Sequence, residues 1–212
     1  CLEELKQKKI SFNIKQINLT LTKKKGTIRG LHYQLPPHAE IKIVTCIKGE
    51  IFDVIVDLRK DSPTFLKKYS LKLSQKNMKS LVIPKGFAHG FQTLKDNCEI
   101  LYFHSASYKP AFEDGLNFND PKLSIKWPLK LANISKRDKS FKLITNKKLD
   151  TFPPDISIIL AAASAVPPVA IKSSIITTFS FLFIESLCIS IVAVPYSNSK
   201  STENLSAGSL FF

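Results

Sequence analysis

Histidine is scarce in this chain: four in 212 residues, at positions 32, 38, 89 and 104. Two of them fall inside apolar, strand-like stretches, His32 in GTIRGLHYQLPP (26–37) and His89 in IPKGFAHGF (83–91), and that placement asks for a reason. Cysteine is equally sparse. Cys1, Cys46, Cys98 and Cys188 show neither CxxC pairing nor framework spacing, which argues against a disulfide scaffold and for reduced thiols in the cytosol. Helix signals are almost missing; only LEELKQKK (2–9) has a helical look. Acidic residues are in deficit, 17 against 31 Lys and Arg, for a net charge of +14. That balance suits an anionic partner such as nucleic acid, a membrane surface or a phosphorylated small molecule. The basic runs, KQKK and KKK, are short and dispersed, so they read as solvated surface and not as a nucleic-acid stripe. No secretory signal opens the chain, which begins at Cys1, and a cytoplasmic location is expected.

The length suits one domain of moderate size with a real core, plus an appendage. Charge divides it. Of the Lys and Arg, 29 precede residue 151, as do 14 of the Asp and Glu, leaving +15 there and −1 in the last 62 residues. The expected organisation is therefore a domain over 1–147 and a hydrophobic, low-charge tail over 148–212. In that tail SSIITTFSFLFIESLCISIVAVPYS (173–197) is long enough to be weighed as a membrane span. Glu185 near its middle and the sparse basic flanks weaken that reading. Three readings stand: a membrane anchor, a hydrophobic second element, or an extension that is not native coding sequence. The abrupt loss of lysine favours the third, and the tail is not expected to extend the sheets of the main domain.

Between these limits the chain reads as short strands. IKIVTCIK (41–48) and EIFDVIVDL (50–58) are β-branched runs on either side of Gly49, a pattern that predicts a hairpin. In the second run Phe52, Val54, Val56 and Leu58 share one face and Asp53 and Asp57 the other. KYSLKL, SLVIP, HGFQTL and EILYFHSA follow, separated by turn-rich RKDSPT, SQKN and KDN. Many short strands and little helix predict an antiparallel sandwich or small barrel. Arg29 and His32 are three residues apart and would face opposite ways in a regular strand. The expectation is that Gly30 permits an irregularity, or that Arg29 serves a partner subunit's site.

A single histidine in a strand is more often a hydrogen-bonded core residue than a catalyst. The combination says more. PKGFAH (84–89) has the PxGxxH form similar to the cupin jelly roll, where a tight turn delivers a histidine into the barrel mouth. Metal cupins add HxH and a glutamate from an earlier strand; here that strand reads His32-Tyr33-Gln34, with glutamine where the second imidazole would stand. A metal is disfavoured, although His38 and Glu40 lie nearby.

Five blocks, KGTIRGLHYQLPPHAEIK, GEIFDVIVDLRKDSPTF, IPKGFAHGFQTL, EILYFHSASYKP and NDPKLSIKWPL, together resemble the dTDP-4-dehydrorhamnose 3,5-epimerase family, in its order and spacing over about residues 1–142. The resemblance implies an all-β, cupin-type jelly-roll barrel of antiparallel strands with short helices near the ends. It also implies a homodimer, no metal and no organic cofactor. The implied reaction inverts C3 and C5 of a 4-keto-6-deoxyhexose carried on dTDP; no nucleic acid takes part, and no membrane unless the tail is a genuine anchor.

Epimerisation beside a ketone needs a base, an acid across the ring and a cation for the enolate oxygen. By motif, His32 of GLHYQ resembles the base, Tyr102 of ILYFH the opposing acid and Lys42 of EIKIV the residue beside the keto oxygen. Asp138 of SKRDK resembles the aspartate that orients the histidine. Arg29, Gln16, Asn18, Gln34, His89, Glu113 and Arg137 match or flank substrate-contacting positions, and arginine suits bidentate phosphate contacts. Tyr108 rivals Tyr102, Lys42 alone reads as a solvated strand lysine, and NISKRDKSF alone reads as a surface helix cap. There are departures. The chain opens inside the family pattern, as an N-terminally truncated domain would. Arg137 stands where the family more often has lysine, and YFHSASY replaces the commoner YK context, which keeps a single-centre epimerase open. The other readings are a metal-dependent cupin oxygenase and a non-catalytic nucleotide-sugar-binding cupin.

Overall fold

The computed structural model describes residues 11–147, Leu149, Phe152 and the backbone of Ala170–Lys172. The candidate helix over 2–9 and the candidate span over 173–197 lie outside the described residues. The described residues form ten strands, in order β1 (Gln16–Thr22), β2 (Ile28–Gln34), β3 (Lys42–Lys48), β4 (Glu50–Asp57), β5 (Lys68–Ser74), β6 (Lys79–Ile83), β7 (Phe87–Thr93), β8 (Cys98–His104), β9 (Glu113–Gly115) and β10 (Ala170–Lys172). Among the described residues one short helix, α1 (Lys136–Ser140), and two 3-10 turns accompany them.

The strands form two antiparallel sheets, β1-β8-β3-β6-β10 and β5-β4-β7-β2-β9. From β1 to β4 each successive strand joins the other sheet, which is the winding of a jelly roll. The predicted hairpin at Gly49 is therefore wrong: β3 and β4 lie in different sheets. Gly49 is a corner, at φ +82°, where an added Cβ would lie 2.7 Å from Cys98 Sγ. A one-residue link with positive φ turns the chain across the interior instead of folding it back.

Two cores result, one on each face of the second sheet. Val44, Cys46, Ile51, Ile55, Leu73, Leu81, Phe91 and Ile100 fill the space between the sheets. Leu31, Tyr33, Val54, Val56, Leu58 and Ala88 pack outward beneath Leu116, Leu123, Ile144, Leu149 and Phe152. β4 thus alternates as expected, yet both of its faces are buried, and Asp53 is fully buried on the inner one. Each aliphatic side chain buried this way contributes about 1.5–3 kcal/mol.

The expected break after residue 147 needs correction. Leu149 and Phe152 belong to the outer core, and Ala170–Lys172 pairs antiparallel with β6 (Ala170 with Leu81, Lys172 with Lys79). The loss of charge after residue 150 hid this, because an open strand edge pairs through backbone and asks for no side-chain pattern in the segment it accepts.

The expected irregularity in β2 is present. Arg29 pairs with Phe91 and His32 with His89, so two residues, Gly30 and Leu31, oppose Gly90 alone. Gly30 has φ +115°, and a Cβ there would stand 2.5 Å from Gly90 Cα. The extra residue shifts the side-chain alternation by one. Arg29 and His32 consequently both sit opposite inner-face residues, while Leu31 and Tyr33 enter the outer core.

Candidate functional site

His32 sits where β2 passes the N-terminus of α1. Its Nε2 lies 2.9 Å from Asp138 Oδ1, with the two side chains 22% and 3% exposed. Asp138 is held from three sides. Gly30 N–H donates to its Oδ2 at 3.1 Å, Arg137 Nε donates to Oδ1 at 3.3 Å, and its own N–H donates to the Ser135 cap at 2.8 Å. Burial raises its pKa; the His32 hydrogen bond and charge, the Gly30 N–H and Ser135 overcome that and hold the carboxyl well below the usual range. The segment is thus a helix start, as the cap reading had it, and also the support of the imidazole.

Arg137 spans the rim. It donates to Glu113 Oε2 at 2.5 Å, and its Nη2 lies 3.0 Å from His32 Nε2. Tyr108 also donates to Glu113, at 2.8 Å. Since guanidinium only donates, a ring carrying its proton on Nε2 has Asp138 as its acceptor. Phe141 closes one side, edge-on to the imidazole at 5.8 Å.

The facing wall comes from β8, β3 and β1. Tyr102 points between the sheets, 6.3 Å from the His89 ring and stacked on His104 at 6.0 Å. Burial pushes its phenol pKa up, opposed by Thr20 and by the charge of Arg29. His32 and Tyr102 therefore belong to opposite sheets, with His89, the strand partner of His32, beside the tyrosine ring. His89 Nε2 lies 3.0 and 3.1 Å from the two oxygens of Asp53. Burial raises the Asp53 pKa and His89 counters it.

Lys42 is not a solvated strand lysine. Its ammonium lies 3.0 Å from Glu40 Oε1, with both side chains largely covered, and Glu40 Oε2 lies 2.9 Å from His104 Nδ1. Burial raises the Glu40 pKa, while Lys42 and then His104 bring it down below its ordinary value. Gln16 donates to Asn18 at 2.9 Å and accepts from Tyr108 N–H at 2.7 Å; Asn18 Nδ2 stands 3.4 Å from His104 Nε2. Arg29 reaches the Leu21 carbonyl at 3.5 Å.

Gln34 departs from its expected place among ligand-contacting groups. Its amide is buried and spent on backbone, accepting from Lys109 N–H at 2.7 Å and donating to the His38 and Ser107 carbonyls at 3.2 and 3.5 Å. It holds the loop after β8. Three residues outside the sequence-derived set enter the site: Asp53, Glu40 in its link to Lys42, and His104. Asp53 could have been found as a carboxylate set between Ile51 and Ile55 on one face of the strand. The other two depend on strand pairing that the sequence does not display. Among the described residues, no three or more His, Cys, Asp and Glu side chains are grouped to hold a metal ion, and no helix is long and apolar enough to cross a membrane.

The profile of a family described as dTDP-4-dehydrorhamnose 3,5-epimerase matches residues 1–146. A Shigella flexneri protein of that name is 46% identical over 114 residues, 54% of this chain and 63% of the relative. This chain thus spans somewhat less than two thirds of that relative's length. The solved dTDP-4-dehydrorhamnose 3,5-epimerase of Bacillus anthracis, with TDP and pyrophosphate bound, is similar at 39% identity and TM-score 0.65, over 67% of this chain and 81% of that one. A Legionella pneumophila dTDP-6-deoxy-D-glucose-3,5-epimerase in complex with dTDP-4-keto-L-rhamnose is 34% identical with TM-score 0.68, over 73% and 83%.

Proposed function

Since the chain belongs to the dTDP-4-dehydrorhamnose 3,5-epimerase family, we propose that it inverts C3 and C5 of dTDP-4-dehydro-6-deoxyglucose to give dTDP-4-dehydro-L-rhamnose. The observation that carries this reading is the buried Asp138 carboxylate fixed on His32 Nε2 at 2.9 Å, on the sheet opposite Tyr102. With Nε2–H given to Asp138, the free lone pair is on Nδ1. That atom takes the proton from the sugar carbon beside the ketone, and Asp138 stabilises the imidazolium that forms. The electron pair moves onto the keto oxygen, where the Lys42 ammonium offsets the charge. Tyr102 then gives its phenolic proton to the other face of the same carbon. Inversion needs two faces; two groups on one side would only exchange the proton with retention. The same pair serves the second centre once both groups have returned to their starting forms.

Arg29 and Arg137 bind the diphosphate, Gln16 and Asn18 hold the nucleotide end, and His89 and Glu113 contact the sugar. Arginine forks suit phosphate. The protein acts as a homodimer. The outward-facing Leu19 and Leu21 of β1, 42% and 46% exposed, support a covered outer face.

The test is incubation with dTDP-4-dehydro-6-deoxyglucose in heavy water, read by mass spectrometry and NMR. The expected result is deuterium at both carbons with inversion. His32→Asn should lose roughly 10²–10⁴-fold in exchange and keep nucleotide binding, while Tyr102→Phe should impair inversion more than exchange. A His32→Asn protein exchanging at the parent rate would overturn the assignment.

A further inference from the structure

The inner face of β1 carries a polar row: Gln16, Asn18, Thr20 and Thr22 alternate with outward Ile17, Leu19 and Leu21. Gln16 and Asn18 bond each other and the loop and His104 beyond. The buried hydroxyls of Thr20 and Thr22 have no such partner. Thr22 lies at the far end of the strand, opposite Cys98, and Thr20 is the one of the two beside Tyr102. Tyr102 is the strand partner of Asn18, and Thr20 is the partner of Ile100. Thr20 is therefore the diagonal neighbour of Tyr102 on the same face, a separation of about 7–8 Å between backbones that side chains bridge.

The Thr20 hydroxyl oxygen is buried and has no partner at full hydrogen-bond distance and angle, yet it is near enough to the Tyr102 phenol to lower its pKa as a hydrogen-bonding neighbour. A buried polar group left unpaired is uncommon enough to need a reason, and in a site it can be a donor kept for charge that appears only during reaction. The charges acting on Tyr102 are Arg29, which favours an ionised phenol, and Asp53, which opposes it. The His89 and His104 rings pack on the tyrosine ring. Thr20 is the neutral donor beside the phenol, and it stands on the same side of the balance as Arg29.

We propose that Thr20 is a positioning residue for the acid step, its hydroxyl donating to the phenolate oxygen of Tyr102 as the phenol releases its proton to the sugar carbon. This rests on the reading of Tyr102 as the acid. In that step the O–H bond of Tyr102 breaks, a C–H bond forms, and the O–H electron pair stays on the phenolate. Thr20 loses nothing covalently: its O–H turns fully onto the charged oxygen. The bond strengthens as charge develops, so it lowers the barrier more than it tightens substrate binding. The cycle closes when the proton held by His32 is lost to solvent and solvent returns one to Tyr102.

The experiment compares the full chain with Thr20→Val, Thr20→Ser and Tyr102→Phe, scoring deuterium exchange and inversion separately. Thr20→Val should lower inversion by about 10- to 100-fold, as for a hydrogen bond to a charged group, with exchange and KM near the parent values. Thr20→Ser should restore inversion. In the Tyr102→Phe background Thr20→Val should have no further effect. Replacing Tyr102 by 3,5-difluorotyrosine, whose phenolate needs less stabilisation, should shrink the Thr20→Val deficit. An inversion rate unchanged in Thr20→Val, a loss that serine does not rescue, or a deficit insensitive to fluorination would overturn the proposal for Thr20 alone. If Tyr102→Phe itself inverts as fast as it exchanges, the acid assignment falls and this inference falls with it.

Discussion

Replacing Asp138 by asparagine should harm catalysis more than removing its side chain altogether. The reason lies in its donors. Oδ2 accepts from Gly30 N–H at 3.1 Å, and Oδ1 accepts from Arg137 Nε at 3.3 Å and faces His32 Nε2 at 2.9 Å. An asparagine keeps one acceptor. Turned so that its amide NH2 meets Gly30, it sets two donors against each other on a backbone that cannot move. Turned the other way it satisfies Gly30 and presents NH2 to His32, whose Nε2 must then accept and whose proton moves to Nδ1, the atom required as the base. The expected rate loss is roughly 10³- to 10⁴-fold, the scale seen when an imidazole is locked in the wrong tautomer. Asp138→Ala imposes no tautomer and should lose less, on the order of 10²-fold, although it leaves Gly30 N–H unpaired. Stability should fall by about 1–3 kcal/mol in either variant. The folded carboxyl is more acidic than its unfolded counterpart. Its contribution therefore stands in full above the unfolded value of about 3.9 and is lost as pH falls toward the folded value, so the wild-type advantage over asparagine should shrink in acid. Solvent-exchange kinetics, denaturation midpoints against pH, and nitrogen NMR of the His32 ring test these points. An asparagine variant within tenfold of wild type, or one whose ring keeps its proton on Nε2, would refute the reasoning.

Other outcomes follow from neighbouring parts of the fold. Gly30→Ala places a Cβ 2.5 Å from Gly90 Cα and 2.7 Å from the His89 carbonyl, both backbone, at φ +115°; denaturation should show a loss of about 1–3 kcal/mol or more, and an unchanged midpoint would count against the bulge. Glu40→Gln keeps the shape but can no longer accept from both Lys42 and His104, so kcat should fall about tenfold with a smaller change in KM, measured by steady-state kinetics. Because the Glu40 carboxyl is held below its ordinary pKa, its stabilisation is present at neutral pH and lost on acidification, and the variant should show a flatter acid limb. Leu19→Glu with Leu21→Glu should give a monomer by sedimentation if the outer face of β1 is the dimer contact; an intact dimer would place that contact elsewhere.

Much of the barrel was legible in the chain because alternation survives in it. The runs at 50–58, 68–73 and 99–106 appear as β4, β5 and β8, each bounded by turn residues whose chemistry is local. Partnering was not legible. Gly49 reads equally as a hairpin tip or a corner, and only the pairing of β3 with β6 and β8 decides it. The same holds at the site. Gly30 between Arg29 and His32 could be suspected of breaking the strand period from spacing alone. The Glu40–His104 contact spans 64 residues, and nothing local announces it. Gln34 misled because a buried amide on a strand looks the same in sequence whether it serves a ligand or a loop. β10 was missed because a strand of three residues, Ala170–Lys172, is too short to show a period.

The alternation of strands between sheets has a consequence for how the protein comes to be active at all. Gln16 pairs with His104 across 88 residues, and Gly30 N–H meets Asp138 across 108. Contacts of such sequence separation give a high contact order, so chain closure comes late and folding is slow, in the range of milliseconds to seconds for all-β domains of this kind. Neither half of the chain contains a usable fragment of the site, because His32 draws its support from α1 and faces a wall built from β1, β3 and β8. Catalytic competence should therefore appear in a single late step during refolding, in phase with burial of the interior and not with the earlier gain of strand content.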